Sequence, residues 1–256
     1  MKIILDEENR TLTRQDENGS ETLPLYSDAA LNALMPLYTR IGWNQKYSYR
    51  FSWFGRPIIQ LPEDMLRIQE VIYDVKPDLV IETGVAHGGS LIYYATLLEA
   101  LGKGQVLGID ILIRPPNRRA IESHEMSKRI DLIEGSSTAP DIVEKVKAYA
   151  KDHEKILIIL DSNHSYAHVM DELEAYADLV SPGSYIVATD GIMRDLTDVP
   201  NGDPSWTKDN PSNAAEDFAA AHPEFSIEAP IPAFNESTIA EAPTYWPSAW
   251  LRRRTD

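Results

Sequence analysis

Pro77-Asp-Leu-Val-Ile-Glu82-Thr-Gly84-Val-Ala-His87-Gly88-Gly89-Ser90 is the stretch from which the architecture of this chain can be predicted. Residues 78–81 read as a short apolar strand, three glycines then turn the chain, and residues 91–101 carry an apolar helical pattern. A strand that leads through a glycine-rich turn into a helix N-terminus is how open α/β folds build a cofactor site. Glycines let the backbone approach a ligand, and the helix N-terminus offers N–H groups to negative charge. Glu82, at the strand end, supplies a charge for a cationic group.

The composition narrows the class of protein. The chain has 256 residues, a net charge of −16 and no cysteine. This length fits one large domain with additions, since domains usually hold about 100–200 residues. The acidic charge disfavours nucleic acid as a partner, and no apolar run reaches the ~20 residues that a bilayer span needs. The acidic start of the chain is unlike a secretory signal, and the lack of cysteine excludes thiolate sites. We expect a cytoplasmic protein with no membrane or nucleic-acid partner.

The chain divides into an extension and a main domain. Residues 1–61 read as an irregular extension, polar at first and then rich in aromatic residues, and residues 62–256 as the main domain. We expect the extension to pack on the main domain or on a partner subunit, because so many aromatic side chains do not suit a free tail. Its aromatic residues include Trp43, Tyr47, Tyr49, Phe51, Trp53 and Phe54.

Strands and helices alternate through the main domain, which predicts an α/β fold with a doubly wound, mostly parallel sheet. The predicted strands cover residues 79–81, 105–111, 130–133, 155–160 and 184–188, and the predicted helices cover 62–73, 91–101, 139–150 and 164–180. Three prolines and two glycines make residues 191–213 a long loop, and such loops often form lids or binding surfaces. A helix at 214–221 and strands at 225–227 and 250–252 follow.

The glycine spacing separates this turn from common nucleotide sites. Gly84, Gly88 and Gly89 are spaced G-x-x-x-G-G, which matches neither the G-x-G-x-x-G dinucleotide pattern nor a P-loop, since no lysine follows. Asp110 ends the next strand, where an acid can accept both hydroxyls of a ribose. Asp110 can also be an ordinary loop-capping acid, but the neighbouring glycine turn favours the ribose role.

Two further acids end neighbouring strands. Asp161 follows the strand 155–160 and Asp190 follows the strand 184–188, so both belong to the ligand-binding edge of a parallel sheet. Two carboxylates there suit a hard cation such as Mg²⁺. Each acid also has a plain structural explanation, and for Asp161 this would be capping the next helix. His164 lies where it can accept a proton at neutral pH, although a single histidine is more often a surface or core residue.

Three strings of the sequence resemble one family. They run from Tyr49 to Pro62 (YRFSWFGRPIIQLP), from Ile81 to Ser90 and from Leu160 to Val169 (LDSNHSYAHV), and the likeness extends to about Arg253. They are similar to the family known as cephalosporin hydroxylases or rhamnosyl O-methyltransferases. The resemblance implies a Rossmann-like class I methyltransferase fold with a seven-stranded sheet and residues 62–256 as its S-adenosylmethionine-dependent domain. It also implies kinship with Mg²⁺-dependent O-methyltransferases that modify sugars of natural products.

The resemblance assigns roles residue by residue. It implies that His164 and Asp161 are catalytic, with His164 as the base, and that Asp161 and Asp190 bind the metal. Asp110 would hold the ribose, Ser136 and Ser137 fall where the adenine is usually held, and Asp161 also borders the cofactor. The residues around the methionine part of the cofactor would be Glu82, Thr83, Gly84, His87, Gly88, Gly89 and Ser90.

One departure from the family pattern weakens the metal assignment. Metal-binding relatives commonly end the later strand with Glu-Asp, whereas this chain has Thr189-Asp190. A threonine hydroxyl is a poor ligand for Mg²⁺, and Asp195 is the nearby acid that would have to compensate.

Three classes of function follow. The first is an O-methyltransferase acting on a hydroxyl of a sugar or a similar small acceptor. The second is an iron-dependent oxygenase, because His164, His168 and Asp161 supply two histidines and a carboxylate. The third is a non-catalytic protein that keeps the fold, which the Thr189 departure motivates. The resemblance favours the first, and the aromatic residues near both ends favour a homo-oligomer.

Overall fold

The structure, a computed structural model, describes residues 1–239 and 242–255. Over these residues the chain forms twelve strands and seven α-helices. In chain order they are β1 (Lys2–Asp6), β2 (Thr11–Asp16), β3 (Gly19–Pro24), α1 (Asp28–Asn44), β4 (Phe51–Trp53), β5 (Arg56–Ile58), α2 (Pro62–Val75), β6 (Leu79–Thr83), α3 (Gly89–Leu101), β7 (Gln105–Asp110), α4 (Pro115–Glu122), β8 (Ile130–Glu134), α5 (Pro140–Ala150), β9 (Ile156–Leu160), α6 (Tyr166–Tyr176), β10 (Tyr185–Ala188), α7 (Pro211–Ala221), β11 (Phe225–Ile227) and β12 (Trp250–Arg253).

The centre of the fold is a seven-stranded sheet with the order β11-β12-β10-β9-β6-β7-β8. Its strands run parallel except β12, which is antiparallel to β10 and β11. The predicted doubly wound, mostly parallel seven-stranded sheet is therefore confirmed. The strand order reverses between β6 and β9, and such a switch point opens a crevice at the carboxyl ends of the strands. Thr83 and Leu160 pair at this edge.

Alternating side chains of the strands build a core on each face of the sheet. Val80, Leu157 and Ile159 pack on the face covered by α2 and α3. Ile81 and Ile158 pack on the opposite face, which α5, α6 and α7 cover. Both β6 and β9 are buried along their whole length. A sheet covered on two sides requires continuous apolar strands, which is why these two were readable from the sequence.

The N-terminal region is more regular than predicted. The prediction of an irregular segment was wrong, because β1, β2 and β3 form an antiparallel sheet and α1 follows it. Ser27 caps α1 by accepting a hydrogen bond from Ala30 N at 3.2 Å. In the small sheet, Leu12 is fully buried while most other side chains are exposed, so the sequence lacks a clear alternating pattern.

The hairpin of β4 and β5 packs on the main domain. Trp53 Nε1 donates to Thr96 Oγ1 on α3 at 2.9 Å, and the Trp53 and Tyr93 rings meet edge to face. The predicted packing of the aromatic segment on the main domain is thus present for this hairpin. The predicted domain boundary after residue 61 stays a prediction.

Other elements differ from the predicted bounds. Helix α4 was not predicted, α6 is shorter than the predicted helix, and α7 begins at Pro211, inside the predicted loop. The rest of that loop contains two short 3₁₀ turns, Gly191–Asp195 and Pro204–Thr207. In the part of the chain that the structure describes, no helix combines the length and the apolar character that crossing a membrane requires.

Candidate active site

The glycine turn between β6 and α3 is tightly enclosed. Gly84 and Gly88 have φ values of +91° and +80°, a region that favours glycine. A Cβ on Gly84 would collide with the backbone carbonyl of Asp161, and a Cβ on Gly89 with that of Pro57. The turn therefore touches both the end of β9 and the β4–β5 hairpin, and it depends on glycine at these positions.

Arg56, from the β4–β5 hairpin, stabilises the glycine turn by hydrogen bonds to its backbone. This role was not predicted from the sequence. Arg56 Nε and Nη2 donate to the His87 carbonyl at 3.0 and 2.6 Å, and Nη2 also reaches Asn117 Oδ1 at 3.3 Å. Asn117 Nδ2 in turn donates to the Ala86 carbonyl at 2.7 Å. Ala86 has a φ of +45°, so these bonds stabilise a strained segment. The signal in the sequence was Arg56 itself, inside the first of the strings that carry the family resemblance.

We expect Arg56→Ala to weaken cofactor binding by about tenfold, because charge-assisted hydrogen bonds of this kind contribute about 1.5–3 kcal/mol each. Calorimetric titration with S-adenosylmethionine measures this effect. Arg50→Ala, in the exposed turn before β4, is the matched control and should bind normally. Equal affinities of the Arg56 variant and the wild type would show that the turn keeps its shape without this side chain.

Glu82 is fully buried below the turn with one oxygen unpaired. Ser90 Oγ donates to Glu82 Oε2 at 2.6 Å, but Oε1 has no hydrogen-bond partner among the described residues. Burial, followed by the charge of Asp161, raises the pKa of the Glu82 carboxyl well above its usual range. An unpaired buried carboxylate oxygen is costly unless a partner arrives. A cationic ligand group would satisfy it, which is consistent with the predicted role.

Asp110 shapes the turn from its other side. Its Oδ2 accepts from Val85 N at 2.8 Å and Ala86 N at 3.2 Å, and its Oδ1 accepts from Leu112 N at 3.0 Å. The structural role that we weighed for Asp110 is therefore present. Each carboxylate oxygen can accept two hydrogen bonds, so Oδ1 keeps capacity for a ligand hydroxyl, and the ribose role stays a prediction.

The two predicted adenine residues differ in their surroundings. Ser137 is buried, and its hydroxyl donates to the buried Glu172 Oε1 on α6. His168 Nε2 lies 3.2 Å from Ser137 Oγ and 3.1 Å from Ser162 Oγ. Ser137 and Ser162 thus each join their own loop to α6. Ser136 is half-exposed, and its hydroxyl lies 3.3 Å from the Thr138 hydroxyl. Of the two, Ser136 is the more accessible to a ligand.

Asp161, His164 and Asp190 come together at the ends of β9 and β10. Each offers one ligand atom, and these three atoms lie within 4.8 Å of one another. His164 Nε2 is 3.5 Å from Asp190 Oδ2. The alternative role of Asp161 as the cap of the next helix is wrong, because Ser165 caps α6. In the described residues, neither His168 nor Asp195 belongs to this group.

Both carboxyl groups of this site have raised pKa values. Burial, then the charge of Asp190, raises the pKa of Asp161 to about 7, while burial raises the pKa of Asp190. Both shifts reflect carboxylates that lack a full cationic partner. Thr189 Oγ1 lies 2.7 Å from Asp161 Oδ1 and 2.9 Å from the Leu160 carbonyl. The residue that departs from the family pattern therefore supports the Asp161 carboxylate by a hydrogen bond. The donor set of two carboxylates and an imidazole fits a divalent cation.

A further buried acid, Asp64 at the start of α2, holds the C-terminal segment. It is 3% exposed and accepts hydrogen bonds from Tyr245 N at 2.8 Å and from the Thr244 hydroxyl. Burial raises the pKa of Asp64 to about 7. Asp64 lines the first of two cavities in this region, and the charge of Asp190 adds to the rise in its pKa.

We expect the metal-free protein to lose stability as the pH rises from about 4 to about 7, since Asp64 stays protonated in the folded state but ionises in the unfolded state. In Asp64→Asn, the free energy of unfolding should fall less over this pH range, by at most about 4 kcal/mol, at about 1.4 kcal/mol per pKa unit. Urea unfolding at about pH 4.5 and about pH 7.5 measures the difference. An identical pH dependence in both proteins would contradict the raised pKa.

Two cavities lie next to Asp64 and the turn after Asp190. A cavity of about 860 Å³ is lined by α1, the start of α2 and residues from the segments 227–239 and 242–250. A second, of about 930 Å³, lies between α1, the turn after Asp190 and residues 242–247. Leu34, Phe234 and Trp246 are among the apolar residues of the first, while Arg40 and Asp195 line the second.

The order and direction of the strands in the seven-stranded sheet give this chain the Rossmann-like fold of the class I methyltransferases. A profile of the family described as Rhamnosyl O-methyltransferase/CmcI matches residues 45–254. The chain belongs to this family, and the predicted resemblance is confirmed.

Named relatives and solved structures agree with this assignment. The Rhamnosyl O-methyltransferase of Mycobacterium leprae (strain TN) is 31% identical over 155 residues, which cover 60% of this chain and 63% of the relative. That of Mycobacterium tuberculosis (strain ATCC 25618 / H37Rv) is 35% identical over 129 residues, covering 50% and 51%. The chain thus matches between half and two thirds of these relatives' length. A CmcI structure described with Mg and SAM has a TM-score of 0.55 at 18% identity and covers 81% of this chain and 78% of its own, so it shows the shared fold.

Proposed function

We propose that this protein transfers the methyl group of S-adenosylmethionine to a hydroxyl of a sugar-like acceptor. The observation that carries the proposal is the placement of Asp161. Its carboxylate belongs to the group with His164 and Asp190, while its backbone carbonyl touches Gly84 in the cofactor turn. A candidate cation site and a cofactor turn that share one residue suit a reaction that brings an acceptor hydroxyl to a methyl donor.

The residues of the turn would hold the cofactor. Glu82 would pair its free oxygen with the amino group of the methionine part, Asp110 would accept from the ribose, and Ser136 would border the adenine. The backbone from Thr83 to Ser90, with Gly84, His87, Gly88 and Gly89, would enclose the methionine part. The cofactor supplies an electrophilic methyl, and the protein contributes by holding the acceptor hydroxyl in line with it.

Asp161 and Asp190 would hold a divalent cation, predicted from the sequence as Mg²⁺, and the CmcI structure described with Mg and SAM supports this proposal. A cation held there would lower the pKa of an acceptor hydroxyl. The two acids would act by keeping that cation beside the cofactor turn. The assignment of His164 as the proton acceptor stays a prediction.

The cavity of about 860 Å³ is the proposed acceptor side of the site, because Asp64, which is close enough to Asp190 for its charge to act on it, is among the residues that line this cavity. Its walls are mostly apolar and aromatic with a few polar groups, which is typical of small-molecule sites. The relatives named rhamnosyl O-methyltransferase favour a sugar-like acceptor. The identity of that acceptor and a homo-oligomeric state stay predictions.

Calorimetric titration with S-adenosylmethionine, with and without Mg²⁺, tests the proposal, and NAD serves as the control ligand. We expect a dissociation constant on the order of micromolar for S-adenosylmethionine and no heat for NAD. Methyl transfer to members of a panel of glycosides would then identify the acceptor. If S-adenosylmethionine fails to bind in either condition, the proposal is wrong, and the oxygenase and non-catalytic functions become the leading hypotheses.

A further inference from the structure

We infer that His164 is a ligand of the cation, so that the site offers one imidazole nitrogen and two carboxylates and selects first-row transition ions such as Mn²⁺ more strongly than an all-oxygen site would. This inference rests on the proposed function, because it concerns the same cation. It goes beyond that function by changing the role of His164 and the preferred class of metal.

The position of the imidazole supports this role. Its Nε2 lies 3.5 Å from Asp190 Oδ2, and the group as a whole spans at most 4.8 Å between ligand atoms. Two ligands on opposite sides of a cation at about 2.1 Å each are about 4.2 Å apart, so small side-chain movements would close the set. A ring nitrogen that faces two carboxylates across this distance is positioned for a shared metal.

Because position 189 holds a threonine and not a carboxylate, the cation needs a third protein ligand from elsewhere. A carboxylate at position 189 would have completed an oxygen set. The threonine hydroxyl has a single proton, and it donates this proton to Asp161 Oδ1 at 2.7 Å, the shorter of its two contacts. Thr189 is fully buried below the acid that it supports. Its hydroxyl therefore orients a ligand, and His164 is the remaining group near both acids among the described residues.

The other nearby histidine is committed elsewhere. His168 Nε2 lies 3.3 Å from Glu172 Oε1 and faces the Ser137 and Ser162 hydroxyls. Since the described cluster includes His164 alone of the two, the site has one nitrogen. The arrangement differs from the two-histidine iron site that the sequence also allowed.

A mixed donor set changes the metal preference. Mg²⁺ demands oxygen ligands in near-ideal octahedral geometry and keeps much of its water. Imidazole binds transition ions more readily, whereas carboxylates serve Mg²⁺ and Mn²⁺ alike. The imidazole nitrogen should therefore contribute more to the binding of Mn²⁺ than to the binding of Mg²⁺. Its removal should reduce the difference between the affinities of the site for the two ions.

Mn²⁺ binding to the purified protein tests this directly. Electron paramagnetic resonance measures free Mn²⁺ during a titration, and calorimetry measures Mg²⁺ binding. We expect His164→Ala to weaken Mn²⁺ binding by at least about tenfold, a size typical of groups that support a metal site, and to affect Mg²⁺ less. Pulsed resonance of bound Mn²⁺ should show nitrogen coupling in the wild type and none in the variant. His153→Ala is the matched control and should behave as wild type, because His153 stacks on Tyr149 before the start of β9, at the opposite end of that strand from Asp161.

A second variant distinguishes the loss of a metal ligand from damage to the fold. Adding Thr189→Glu to His164→Ala supplies the missing carboxylate and should restore Mg²⁺ binding without restoring nitrogen coupling. The inference is overturned if wild-type protein does not bind Mn²⁺, or if its bound Mn²⁺ shows no nitrogen coupling. Unchanged Mn²⁺ affinity in His164→Ala would also overturn it and leave His164 free as the proton acceptor. Failure of S-adenosylmethionine to bind would instead refute the proposed function, since metal binding is measured without the cofactor.

Discussion

Asp161→Asn is expected to reduce methyl transfer by about 10²–10³-fold, the loss typical of removing one electrostatic stabiliser from an active site. The amide keeps the shape of the side chain but removes the charge that would hold the cation. The backbone carbonyl that contacts Gly84 remains, so S-adenosylmethionine affinity should stay near that of the wild type. Turnover of an identified acceptor and calorimetry with the cofactor measure the two quantities separately.

Asp195→Asn is the matched control for this prediction. Asp195 is an acid of the turn after Asp190 but lies outside the three-residue group in the described structure, so its variant should keep its activity. Excess EDTA should imitate Asp161→Asn in the wild type. Full activity of the wild type in EDTA would remove the cation from the mechanism, and loss of activity in the Asp195 variant would require a different ligand set.

Glu82→Gln should weaken S-adenosylmethionine binding by about 30-fold or more, since removing one member of a buried charge pair costs about 2–5 kcal/mol. The glutamine keeps the volume of the side chain but has no charge for the amino group of the cofactor. Calorimetric titration of both proteins at neutral pH measures the change.

A ligand control separates this effect from damage to the fold. 5′-Methylthioadenosine contains the adenosine and sulfur of the cofactor but lacks its amino group, so both proteins should bind it equally. Equal loss for both ligands would indicate a distorted turn. Unchanged affinity for S-adenosylmethionine would show that the amino group lies elsewhere and that Glu82 Oε1 has another partner.

The sheet was predictable because its strands are short apolar runs bounded by clear turns. In β6 and β9 every residue is buried, and the apolar runs Leu79–Ile81 and Ile156–Leu160 identify the two strands from the sequence. The small N-terminal sheet escaped prediction for the opposite reason, since Leu12 is its fully buried side chain and polar residues occupy both faces. Helix α4 begins with two prolines and contains few apolar residues, which made it resemble a loop.

The site was predictable as a set of strand ends, but not as a set of contacts. Asp161 and Asp190 were paired because parallel strands end at one edge, and the structure brings them together. The support that Arg56 gives to His87 crosses 31 positions, and the bond between Ser137 and Glu172 crosses 35. No local pattern encodes such partners, because they depend on how α6 and the hairpin pack on the sheet.

The contact between Gly84 and the backbone of Asp161 has a consequence for engineering this protein. Each loop fills the space that the other leaves, so neither can be exchanged alone without a collision or a gap. A chimera with a relative would have to carry both loops from the same parent, with junctions placed inside β6 and β9. Gly84 and Asp161 are 77 positions apart in the sequence, but the strands that precede them, β6 and β9, are neighbours in the sheet. The two loops would therefore have to be exchanged as one matched pair.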